Sequence, residues 1–118
     1  MKRASLLVLS VVLLAAGGCR VHDVRTVEIR APGVRCEKCS ERVAQALGVL
    51  DGVKAEKLSF DLEQGIVTVT YDSMLVAIKN MEYAVAGAGF DVETKPYLLP
   101  ADATARAALP PECREHIR

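Results

Sequence analysis

Two of the chain's 4 cysteines, Cys36 and Cys39, are separated by only two residues, in the run Gly33-Val34-Arg35-Cys36-Glu37-Lys38-Cys39. Thiolates are soft ligands that select Cu(I), Zn and other soft cations over hard ones. The short gap lets both sulfurs converge on a single ion. No His, Asp or third Cys stands close by in sequence, whereas a closed structural zinc site takes four ligands. Two sulfurs therefore suit one ion of low coordination number, with Cu(I) first, Hg(II) second and Zn(II) third. Such a site is expected to be open, which favours handing the ion on over storing it. The same pair could instead serve thiol–disulfide exchange, or simply oxidise to a local disulfide in a structural or interaction module. Against the redox reading, the chain has no Trp, and the prolines after the motif are Pro96, Pro100, Pro110 and Pro111, remote from it. No residue set for general acid–base or nucleophilic turnover is present, so the chain is not read as an enzyme.

The remaining thiols are Cys19 and Cys113. Cys113 and His116 stand three positions apart and offer two readings. They add ligands to this ion or a second one, or they belong to a mobile tail whose leftover Cys pairs with another molecule; the second reading is preferred. His22 has no partner in sequence and reads as a solvated linker residue. The chain has 118 residues with formal net charge +0 and 51% hydrophobic residues. That length allows one domain, and the missing basic stripe argues against nucleic acid as a partner.

The elements that must hold the pair read as strand, helix, strand, strand, helix, strand over residues 24–94. Val27 and Ile29 alternate with polar neighbours, the period of a half-buried strand, and Pro32-Gly33 breaks it. Val43, Ala46, Leu47 and Leu50 recur at helical spacing, predicting a helix from about Cys39 to Leu50 that ends at Asp51-Gly52. Leu58, Phe60 and Leu62 share one face of a second strand. Glu63-Gln64-Gly65 turns the chain, and Val67, Val69 and Tyr71 return. Asp72 or Ser73 is expected to cap a second helix carrying the stripe Met74, Ile78, Met81, Val85 and Ala88. Phe90 and Val92 open a fourth strand. The result is an α+β, ferredoxin-like βαββαβ two-layer sandwich, with a four-stranded antiparallel sheet and two helices on one face. Cys39 then falls in or beside the first helical turn, where free N–H groups and the helix dipole favour thiolate. At least one depressed thiol pKa is expected, at Cys36 or Cys39. From Lys95 the Pro-rich tail, residues 95–118, leaves room for a short helix between Ala101 and Leu109.

The order of these elements resembles the heavy-metal-associated domain, the family of copper chaperones, metal-pump N-terminal domains and periplasmic mercury-binding proteins. The resemblance rests on Gly33-x-x-Cys36-x-x-Cys39 after a strand, Val43 and Leu47, Gly52-Val53, Val67-x-Val69-x-Tyr71-Asp72, and Gly89-Phe90. It implies that Cys36 and Cys39 are the metal ligands, with Cys36 the more exposed. It also implies that Gly33, Val34 and Phe90 support the metal loop, Val34 standing where the family usually has Met. The partner implied is a metal-transporting membrane protein or another metal-binding domain. The stretch from Gly52 to Leu62 is about two residues longer than usual and is expected to form a bulge. Arg35 replaces the acidic residue of zinc-type members.

At the N-terminus, Lys2 and Arg3 precede an apolar run from Leu6 to Ala16, which is a secretory pattern. Ala16-Gly17-Gly18-Cys19 resembles the lipobox of bacterial lipoproteins. It implies a signal peptide over residues 1–18, a lipidated Cys19 and a linker over residues 19–23. The expected location is the bacterial cell envelope, anchored in the membrane and facing the periplasm, with a lean towards the outer membrane from Arg20.

Overall fold

The computed structural model describes residues 21–95 and 97–114. The expected signal peptide over residues 1–18, Cys19 and His116 lie outside the described residues.

Strand β1 (Val24–Arg30) is central and pairs antiparallel with β3 (Ile66–Asp72), placing Val27 opposite Val69 and Ile29 opposite Val67. One apolar residue in two faces inward on each strand, so this register stacks the two inward rows together. Strand β2 (Ser59–Asp61) flanks β3 with Phe60 opposite Val67. The pairing of β2 is continuous, without the expected bulge. The extra residues ahead of it are taken up instead by a 3-10 turn at Ala55–Lys57.

Helix α1 (Glu37–Gly48) buries Cys39, Val43 and Leu47, and helix α2 (Ile78–Gly87) buries Met81, Val85 and Ala86. The two helices lie against each other, and their stripes share one core with Ile29, Val67, Val69 and Tyr71. Helix α1 begins two residues earlier than its apolar spacing indicates, because Cys36 itself is the N-cap. It ends at Gly48, and Gly52 follows at φ 95 in the next turn, a left-handed conformation that costs glycine least.

Helix α2 departs from expectation at its start. Asp72 does not cap it: the Asp72 carboxylate accepts from the Met74 N–H at 3.0 Å within a separate turn, and Ala77 is the N-cap with no side-chain bond. Met74 (59% exposed) and Ile78 (42% exposed) therefore stand outside the core that their spacing assigned them to.

Beyond β4 (Val92–Glu93) the sheet gains a fifth strand, β5 (Leu98–Leu99), so its order is β2-β3-β1-β4-β5 rather than four strands. Two short helices follow, α3 (Ala103–Ala107) and α4 (Pro111–Arg114). The C-terminal segment is thus a folded part of the domain among the described residues, not a loose tail. Leu109 and Cys113 are buried in the same core as α1 and α2.

Candidate metal centre

Cys36 sits at the junction of the β1–α1 loop and α1. Its backbone is extended (φ -133, ψ 166), and its sulfur accepts a hydrogen bond from the Cys39 N–H at 3.3 Å. A cap residue leaves its own helix and turns its acceptor back onto the unpaired N–H groups of the first turn. Here that acceptor is a thiol. The cap therefore holds Cys36 and Cys39 together through the same bond that starts the helix.

The loop before them is fixed at several points. The Ala31 N–H donates to the Gly65 carbonyl at 2.8 Å, and the Val34 N–H donates to the Ala31 carbonyl at 2.9 Å. Val34 is buried (1% exposed), as is Gly33, so the loop is pinned into the core just ahead of the pair. The Arg35 guanidinium donates to the Pro32 carbonyl at 2.7 Å and to the Glu63 carbonyl, tying the loop to the β2–β3 hairpin. Phe90 is fully buried in the cluster that also holds Val34, Cys39 and Cys113, where it packs.

A third sulfur completes the group. The Sγ of Cys113 lies 3.8 Å from that of Cys36, and the sulfurs of Cys36, Cys39 and Cys113 all lie within 4.8 Å of one another. Cys39 and Cys113 are buried and Cys36 is half-buried. The site is accordingly not the open pair expected from two residues on a loop; the C-terminal segment covers it. The mobile-tail reading of Cys113 fails because α4 packs on α1, with the Lys38 ammonium 3.3 Å from the Glu112 carboxylate. His22 likewise has a partner, its Nδ1 lying 2.8 Å from the Asp72 carboxylate at the start of the domain.

The three thiols differ in acidity. At Cys36 burial opposes ionisation. Hydrogen bonds from the Cys39 thiol and N–H, with others from Cys113 and the Lys38 N–H, outweigh it and bring the thiol below its ordinary value. Burial raises Cys39, and its bond to Cys36 holds its proton in place. Burial raises Cys113 furthest, and its bonds to Cys39 and Cys36 act in the same direction. Negative charge thus settles first on Cys36, the sulfur most accessible to solvent, where the helix N-terminus supports it.

Sequence spacing linked Cys113 to His116. The stronger signal was Leu109, an apolar residue four positions before Cys113 and beside Pro110-Pro111. Both Leu109 and Cys113 face inward.

The heavy-metal-associated domain matches residues 28–91 of this chain, a span that contains Cys36 and Cys39 and ends well before Cys113. The chain is 36% identical over 64 residues to the copper chaperone CopZ of Staphylococcus aureus (strain MRSA252), covering 54% of this chain and 91% of that one. Among solved structures it is similar to oxidized MerP from Ralstonia metallidurans CH34 (TM-score 0.55, 27% identity, 62% of this chain and 99% of that one). It is also similar to a copper binding domain from HMA7, a P-type ATPase (TM-score 0.54, 32% identity, 58% of this chain and 90% of that one).

Proposed function

The chain belongs to the heavy-metal-associated domain family, and on that footing we propose that it binds one soft metal ion between Cys36 and Cys39 and passes it to a partner by thiolate exchange. Cu(I) is the first choice of ion, ahead of Hg(II) and Zn(II). The observation that carries this reading is the thiol cap: two sulfurs converge at the N-terminus of α1, linked by the bond from the Cys39 N–H to Cys36. Soft thiolates favour Cu(I) and related cations, and a copper chaperone and a copper binding domain of a P-type ATPase are among the proteins similar to this chain.

In the exchange, a sulfur of the partner bonds to the ion and one original sulfur then leaves it. Within the pair, Cys36 exchanges before Cys39, because it is half-buried and Cys39 is fully buried. The partner is a metal-transporting membrane protein or another metal-binding domain. The chain acts as a carrier and not as an enzyme. It works outside the cytoplasm, held to the membrane by a lipid on Cys19; the basic, apolar and small-residue order of residues 1–18 supports that placement.

Anaerobic titration of the full chain with Cu(I) tests the reading. One ion per chain is expected, lost when Cys36→Ser and Cys39→Ser are combined; unchanged uptake in the double variant overturns it. Metabolic labelling with a radioactive fatty acid, lost in Cys19→Ser, tests the anchor.

A further inference from the structure

We propose that Cys113 is a third thiolate ligand, delivered by a C-terminal cap (residues 98–114) that closes the Cys36–Cys39 pair into a three-sulfur site. The inference rests on the soft-metal reading above and adds to it the coordination number and the way the ion is retained.

Three sulfurs bound about 2.3 Å from one ion in a plane stand about 4 Å from each other. Here Cys36 and Cys113 are 3.8 Å apart, and no pair in the trio exceeds 4.8 Å. The set matches a trigonal site before any ion arrives. Such pre-arrangement matters because a ligand already in position loses little freedom when the ion binds.

The cap is built into the domain and is not an incidental contact. It is held by backbone, side chain and packing at separate points. Strand β5 pairs with β4, with Val92 opposite Leu99 and Glu93 opposite Leu98. The Ala101 N–H donates to the Asp91 carboxylate at 2.7 Å, and the Asp102 N–H donates to the Ala86 carbonyl at 2.9 Å. The Asp102 carboxylate then caps α3 by accepting from the Ala105 N–H at 2.9 Å. Leu109 is seated in the core (2% exposed), and the Lys38–Glu112 pair joins α4 to the metal helix. The Cys113 N–H donates to the Pro110 carbonyl at 3.0 Å, which sets the turn that aims the sulfur inward. Each of these contacts is made by at least one residue beyond residue 91, where the match to the family ends.

Binding replaces the three S–H bonds with three bonds from sulfur to the ion, and the protons leave to water. No electrons move. The third sulfur occupies the position an incoming thiolate would take, so transfer to a partner requires Cys113 to leave first. The cap therefore slows release and keeps the ion from small competing ligands.

The test compares the full chain in a Cys19→Ser background, which removes the fourth thiol, with the same chain carrying Cys113→Ser. Both are loaded anaerobically with Cu(I) in thiol-free buffer. X-ray absorption at the copper edge counts the bound sulfurs, and a chromophoric Cu(I) chelator measures affinity and the rate of stripping. Three sulfurs are expected in the first chain and two in Cys113→Ser. Affinity should fall by about 10–100-fold or more, since even partners outside the coordination shell contribute on that scale, and stripping should be faster. Two sulfurs in the chain that retains Cys113 overturn the cap ligand whatever the variant does, so the result does not depend on the variant folding. That outcome leaves the Cys36–Cys39 reading intact. Full Cu(I) uptake after Cys36→Ser and Cys39→Ser overturns the underlying reading instead.

Discussion

Gly89 meets the backbone of Ala105 so closely that a Cβ on Gly89 would stand 3.1 Å from the Ala105 carbonyl carbon and oxygen. Gly89 also has φ +107, outside the range side chains adopt readily. This glycine, in the turn between α2 and β4, lets helix α3 of the cap pack directly on the rest of the domain. Gly89→Ala should therefore cost about 1–3 kcal/mol, the usual range for forcing a side chain into such backbone, and the cap should bear most of the change. Hydrogen exchange should show faster exchange over residues 98–114 than over β1 and β3. Uniform protection in the variant would count against this.

Leu109 tests whether the cap belongs to the core. It is 2% exposed, so Leu109→Ala removes buried methyl groups and leaves a cavity, with an expected loss of about 2–5 kcal/mol. The control is Leu98→Ala, at a side chain 56% exposed, expected to change stability by about 0.5 kcal/mol or less. Urea unfolding of both variants gives the comparison; equal small effects would mean the segment adds nothing to stability.

Asp72 sets an acid limit. The His22 side chain, followed by the Met74 and Asp23 N–H groups, holds its carboxyl down to about 2 from an ordinary 3.8. The unfolded chain then takes up this proton at higher pH than the native one, so stability falls as pH drops from 3.8 towards about 2. Above that window the contribution is complete. Urea midpoints measured across it should fall more steeply for the parent than for Asp72→Asn; parallel curves would remove Asp72 from the account.

Thiol chemistry should follow burial. In the metal-free chain at neutral pH, iodoacetamide should modify Cys36 first, because it is half-buried and its thiol lies below the usual value. Cys39 and Cys113 should react only when the cap opens or the chain unfolds. Peptide mapping over time gives the order, and Cys113 reacting as fast as Cys36 would show that the cap is not seated.

Local pattern carried the central unit of this protein. Alternation in Val27 and Ile29, and in Val67, Val69 and Tyr71, marks strands because each inward position must be apolar to join the core. Val43 and Leu47 mark a helix for the same reason at a different period. The motif between them was readable because two cysteines so near in sequence can reach one ion in almost any loop. The readings that failed depended on partners far away in the chain. Met74 and Ile78 fit a helical stripe, but the Asp72 turn displaced the start of the helix and left them exposed. His22 acquires Asp72 only because β1 and β3 pair.

Sequence alone therefore determined the strand–helix order and the pair at Cys36 and Cys39, since both follow from side-chain period and short spacing. Only the folded chain decided the fifth strand and the seating of Leu109. It likewise decided the placing of Cys113 beside a cysteine 77 positions earlier. Those depend on which surfaces remain uncovered once the sheet and helices have packed, and no local pattern carries that information.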